Sequence, residues 1–132
     1  MRIVIAVMVS ALTLFALPVA AQKAALTPTQ FYLQYRDVWQ QAKSIEPILP
    51  YLGKDSRAEI EATPKVKRQD MFELMKMMGN LSNVKVVSET KQGNSYLLEL
   101  TATSPEKKAM KGAAEIIMED GAMKLRKETW TS

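Results

Sequence analysis

The chain has 132 residues, with 18 Lys and Arg against 14 Asp and Glu, and it contains neither His nor Cys. Without Cys it forms no disulfide and no thiolate metal site, and without His it lacks the side chain most often used as a base near neutral pH. A net charge of +4 spread along the chain supplies no concentrated basic face, so nucleic acid is not an expected partner.

Arg2 is the only charge before Lys23. An apolar run from Ile3 to Leu17 follows it, then the small-residue exit Pro18-Val19-Ala20-Ala21. A basic start, an apolar middle and small residues at the exit form the pattern of a secretory signal peptide, Met1 to Ala21, cut after Ala21. Ser10, Thr13 and Pro18 interrupt a run that would need about 20 predominantly apolar residues to span a bilayer. The expectation is export to the periplasm with no stable membrane insertion after cleavage. Residues 22–132 then form one domain, stabilised by packing alone.

Leu26-Thr27-Pro28-Thr29-Gln30-Phe31 reads as a helix start: Thr27 caps, Pro28 takes the first helical position and Gln30 completes a capping box. Phe31, Tyr35, Val38, Trp39, Ala42 and Ile45 then recur at helical spacing, predicting a helix to about Lys43. Pro47 and Pro50 forbid a long helix in the next stretch. A short helical turn, a break at Gly53 and a helix capped by Asp55 running to about Glu61 are expected. Thr63-Pro64 repeats the capping logic for a helix ending at Met78, with Gly79 as its stop. Met71, Leu74, Met75 and Met78 form its apolar stripe, with Phe72 at the edge.

Beyond Asn80 the period becomes two. Val84, Val86 and Ser88 fall on one strand face and Lys85, Val87 and Glu89 on the other, up to a turn at Lys91-Gln92-Gly93-Asn94. Tyr96, Leu98, Leu100 and Ala102 form the apolar face of the next strand. Asp120-Gly121 is a two-residue hairpin turn joining Ala109–Glu119 to Ala122–Trp130. It places Met118 opposite Met123, Ile116 opposite Leu125 and Glu115 opposite Arg126, with the ion pair on the face away from the apolar pairs. Helices followed by an antiparallel meander predict an α+β fold: N-terminal helices packed on a curved antiparallel sheet of about four strands.

These segments together resemble the short exported bacterial members of the nuclear transport factor two-like superfamily. The likeness rests on the Thr-Pro helix start, the Ser-x-Glu-x-x-x-Pro-Tyr-Leu segment Ser44 to Leu52, the second Thr-Pro helix, and Val84 to Thr90. It ends on Glu119-Asp120-Gly121-x-x-Lys124 and Trp130. The resemblance implies a cone-shaped α+β fold with a possible cavity, made shallow here by the lack of the strand and helix that full-length relatives insert before the main sheet. It implies no single activity, since the fold hosts enzymes, binders and adaptors.

Enzymes of that superfamily place an acid, His or Tyr constellation inside the cone. This chain offers only Tyr35, Tyr96, Glu89 and Asp37, of which Asp37 lies off the apolar face of its helix. No nucleophile elbow, phosphate loop or paired-carboxylate spacing occurs. Met71, Met75, Met77 and Met78 carry thioethers of the kind that select Cu(I), but the same spacing suits a buried helix face filled by adaptable Met. Lys65, Lys67, Arg68, Lys107, Lys108 and Lys111 read as solvated charge.

The expected function is therefore an exported, non-catalytic binding domain, monomeric or homodimeric, with no cofactor and no metal. Tyr35, Trp39, Met75 and Tyr96 are the expected ligand-binding residues, receiving a small apolar ligand or a partner's side chains in a cone-shaped cavity. The alternative is a periplasmic protein–protein adaptor or inhibitor using the outer sheet face at Leu97, Ile117 and Trp130. An open cavity beneath Tyr35 and Tyr96 marks the first. A filled cone with an apolar patch outside marks the second.

Overall fold

A computed structural model describes residues 26–132; the expected signal peptide lies outside them. Helix α1 (Pro28–Gln41) opens as its sequence requires. The Thr27 hydroxyl accepts the Gln30 N–H at 3.1 Å, and the Gln30 side chain accepts the Thr27 N–H at 3.0 Å. The helix ends at Gln41, two residues short of the expected Lys43. A 3-10 turn (Glu46–Tyr51) accommodates both prolines and buries Ile48.

Helices α2 (Lys54–Ala62) and α3 (Lys65–Met78) follow, and neither is capped as expected. Gly53, not Asp55, stands at the start of α2, and the Lys54 N–H is taken by the Glu119 carboxylate at 3.1 Å. Pro64 stands at the start of α3, while the Thr63 hydroxyl turns back to donate to the Glu59 carbonyl at 3.0 Å. At α2 a tertiary contact satisfies an N–H that local sequence assigned to a side-chain cap, and at α3 the expected capping hydroxyl serves the end of the preceding helix instead.

Strands β1 (Ser82–Gln92), β2 (Ser95–Thr103), β3 (Ala109–Glu119) and β4 (Ala122–Thr131) form one antiparallel sheet in chain order. The helices pack against this curved sheet, so the fold is α+β. The core joins Phe31, Tyr32, Tyr35 and Trp39 of α1 to Ile48, Leu98, Leu100, Ala114, Ile116 and Leu125. These side chains fill the space between α1 and the inner face of the sheet.

Bulges on both edge strands, at Val87 on β1 and at Arg126 on β4, change which residues face the helices, and β1 has a further irregularity between Ser82 and Lys85. The β3–β4 hairpin starts in the expected register, with Met118 paired to Met123 and Ile116 to Leu125. Glu115 then pairs with Lys127 instead of Arg126, which is the extra residue of a bulge. The Glu115–Arg126 ion pair still forms at 3.0 Å. Because side chains alternate, one extra residue reverses every later face assignment. Glu128 and Trp130 consequently pair with Ala114 and Gly112 and point inward, correcting the expectation that Trp130 lies on the outer sheet face.

A second bulge at Val87 acts the same way on β1. Val86 pairs with Leu100, but Ser88 pairs with Glu99 and Glu89 with Leu98. Ser88 therefore leaves the face it was expected to share with Val84 and Val86, and Glu89 turns toward α1. There its carboxylate accepts the Thr29 N–H at 3.0 Å and the Thr29 hydroxyl at 2.7 Å. An acid at a helix start is favourable because unpaired N–H groups and the helix dipole converge there.

Helix α3 also differs from expectation. Phe72, expected at the edge of the stripe, is buried at 3% exposure and meets Trp39 edge-on at 5.3 Å, whereas Met71, Leu74, Met75 and Met77 are all exposed. The cause is how α3 is tethered. Gln69 donates to the Lys43 carbonyl, and Lys76 donates to the carbonyls of Trp39 and Gln40 at 2.6 and 3.1 Å. These contacts seat the Phe72 side of the helix and leave the Met side outward.

Gly112 lets Trp130 close over the inner face: a Cβ there would lie 2.5 Å from the Trp130 ring and 2.7 Å from the Thr129 carbonyl. Replacing Gly112 by Ala forces Trp130 off that face. The expected cost is about 1–3 kcal/mol in urea unfolding, the range for overpacking, together with a red shift of Trp emission as Trp130 gains solvent.

Candidate functional site

The site is built where α1 crosses the inward-turned end of β4. Tyr32 and Arg36 are one helical turn apart on α1, and both are buried, at 0% and 7% exposure. Between them and the sheet lies the Glu128 carboxylate. Its Oε2 accepts the Tyr32 hydroxyl, accepts the Trp130 indole N–H at 3.2 Å, and pairs with Arg36 Nη1 at 3.5 Å. One oxygen thus gathers three donors from two elements.

Charge at this depth must be matched, because an unpaired buried ion loses its hydration without compensation. Glu128 is matched at Oε2, but Arg36 is matched at Nη1 alone. Its Nε and Nη2 are buried and have no hydrogen-bond partner among the described residues. An unsatisfied buried donor costs about 1–3 kcal/mol, and more when charged, so this is a costly feature at the centre of the fold.

The phenols respond to the same surroundings. Burial, and then the negative charge of Glu128, push Tyr32 well above the usual phenol range, and Tyr35 is raised by the same two causes in the same order. Both stay protonated, so neither serves as a base.

An open cleft of about 300 Å³ adjoins this cluster, lined by Tyr35, Arg36 and Trp39 of α1, Met75 of α3, Leu81, and Glu128 and Trp130 of β4. Three of the expected ligand-binding residues, Tyr35, Trp39 and Met75, therefore share one cleft. Tyr96 does not join them. It pairs with Ile116 near the other end of the sheet, four residues along β2 from the Leu100 that pairs with Gly112, or about 13 Å at strand spacing. Tyr96 packs half-buried against the core.

A second cleft, of about 360 Å³, lies on the other side of Arg36 and includes Leu33, Asp37, Gln40 and Val84. Asp37 is exposed, as expected, and Glu89 is held at the start of α1. An apolar dimple of about 50 Å³ between Ile45, Ile60, Phe72 and Met75 is too small for an organic ligand. Among the described residues, no group of three or more acidic side chains is placed to hold a metal ion.

Sequence reasoning missed Tyr32, Arg36 and Glu128. Arg36 is a charged residue on the buried side of an amphipathic helix, and Glu128 comes inward only through the bulge. The usable signal was Gly112: a lone glycine inside a strand marks a bulge or a close approach, and here it sits opposite Trp130.

No family model and no curated protein matches this chain. Among solved structures, it is similar to a de novo designed β-sheet protein of cystatin fold, with 22% identity over 48% of this chain and 83% of that one and a TM-score of 0.35. A likeness at that level says nothing of this chain's role.

The raised phenols fix an alkaline limit. In the unfolded chain Tyr32 and Tyr35 lose their protons near pH 10, whereas the fold holds both protonated. Their contribution is complete below pH 10 and falls as pH rises above it, by about 2.7 kcal/mol per pH unit for two protons. Urea unfolding between pH 9 and 11.5 should show this decline, and Tyr32→Phe should remove about half of the slope.

Proposed function

We propose that this chain is a non-catalytic binding domain, exported to the periplasm, whose cleft between α1, the end of α3 and β4 takes a small, largely apolar ligand. The observation that carries this reading is the cleft itself. The core beneath α1 is filled, and beside it Tyr35, Trp39, Met75 and Trp130 meet around an open space of about 300 Å³, whereas the cleft of about 360 Å³ on the other side of Arg36 has no aromatic wall. That volume lies at the lower end of small-molecule sites, and aromatic walls with a few converging polar groups are typical of them. Flexible Met75 at the rim suits ligands of varied shape.

The absence of His and Cys from the sequence and the two phenols held protonated support binding over catalysis. The resemblance to exported nuclear transport factor two-like domains supports a cone that receives a ligand at one end. It is part of this proposal.

A second reading, the adaptor, is favoured by one observation: Val66, Met71, Leu74, Met75 and Met77 leave an apolar face on α3 open. That surface lies on α3. On the outer sheet face, Leu97 and Ile117 are only half-buried and Trp130 has turned inward.

Both tryptophans of the chain, Trp39 and Trp130, line the cleft, so their emission reports on it directly. Titration with the neutral fluorophore N-phenyl-1-naphthylamine should give saturable energy transfer from Trp, and Trp130→Ala should weaken binding about ten-fold, the scale of one lost aromatic contact. No saturable transfer, or unchanged affinity in Trp130→Ala, overturns the ligand reading in favour of the adaptor.

A further inference from the structure

The filled core explains every buried side chain around Glu128 except one. Arg36 is buried at 7% exposure, and only its Nη1 has a partner, Glu128 at 3.5 Å. Nε and Nη2 are buried and without a partner among the described residues. These two nitrogens are not an arbitrary pair. Nη1 lies on the Cδ side of the planar guanidinium, so the Nε–H and Nη2–H bonds share the opposite edge and run parallel. That edge is the fork whose spacing matches the two oxygens of a carboxylate. Glu128 occupies the other side and cannot serve both.

Arg36 lines the cleft beside Trp39, Met75 and Trp130, and it also lines the second cleft on its far side. Local charge agrees with an incoming anion. Glu128 balances Arg36, while Lys76 Nζ stands 5.6 Å from the Trp39 ring centroid and contacts only neutral carbonyl oxygens of α1 in the bonds described above. The cluster of Arg36, Lys76 and Glu128 therefore carries one net positive charge.

We propose that the cleft recognises a monocarboxylate: the carboxylate accepts from Nε–H and Nη2–H of Arg36, and the apolar body lies between Trp39, Met75 and Trp130. This rests on the reading of the cleft as a ligand site and adds the chemical class of the ligand. Binding supplies two acceptors to nitrogens that have none among the described residues. Because both nitrogens are sealed from solvent, the carboxylate reaches them as a neighbouring side chain shifts. Sealing also means that the bond, once made, is shielded from competing water.

The test is calorimetric titration of the purified protein with octanoate and with octan-1-ol, which share a chain and differ in the head group. The expected result is octanoate binding at least about ten-fold more tightly than octan-1-ol, since charge-assisted hydrogen bonds exceed neutral ones. In Arg36→Lys, which keeps the charge and loses the fork, the ratio of octanoate to octan-1-ol affinity should fall several-fold. In the wild type, the Arg36 Nε–H resonance in nitrogen-15 spectra should move with octanoate and stay still with octan-1-ol, a readout that needs no variant. Equal affinity for the two compounds, an unmoved Nε–H resonance, or an undiminished preference in Arg36→Lys overturns the carboxylate assignment and leaves the cleft reading standing. Binding of neither compound overturns both.

Discussion

The Glu128 carboxylate, part-buried beneath α1, is the constraint on which the rest of the structure turns. Three donors from two elements converge on one oxygen, Tyr32 and Arg36 from the helix and Trp130 from its own strand. Burying that carboxylate without them would cost several kcal/mol. The register of β4, the seating of α1 and the orientation of Trp130 are therefore coupled. None can change without leaving a buried charge unmatched.

The same device operates twice. Both edge strands are bulged, and the bulges at Val87 on β1 and Arg126 on β4 each turn a glutamate toward the helix layer. Glu89 receives the start of α1 and Glu128 receives its middle, while Lys76 from α3 donates to carbonyls at its end. One helix is thus held at three points by charged groups, each matched to what that part of a helix presents: free N–H groups first, buried side chains next, free carbonyls last. Bulges on edge strands also interrupt flat edges that would otherwise pair with another chain.

Much of this was legible from residues alone. The capping box at Thr27 and Gln30, the apolar alternation of Tyr96 to Ala102, the Asp120-Gly121 turn and the Met118–Met123 and Ile116–Leu125 pairs are local signals, and local geometry decides them. What failed was decided at a distance. The faces of β1 and β4 reverse at bulges that leave no composition mark at Val87 or Arg126. The start of α2 is satisfied by Glu119, 65 residues away, which no capping pattern can anticipate. The Met stripe of α3 has the spacing of a core face, but tethers to the carbonyls of Lys43, Trp39 and Gln40 point Phe72 inward instead. Of the four residues expected at the site, Tyr35 and Trp39 came together because helical spacing carries one face of α1 to one end of the sheet, and Met75 joins them from α3, tethered to α1 through Lys76. Tyr96 lies near the sheet's other end.

The feature that separates this site from ordinary packing is the mismatch between Glu128, whose Oε2 gathers three partners, and Arg36, whose Nε and Nη2 have none among the described residues. The coupling of these residues is measurable by a double-mutant cycle in urea using Arg36→Met and Glu128→Gln. The account predicts that Glu128→Gln alone costs on the order of 3 kcal/mol, because Arg36 is left buried without a counter-charge, and that the double variant recovers a large part of the loss. Costs that add to within about 0.5 kcal/mol would show that the two residues do not interact, and would contradict the account at its centre.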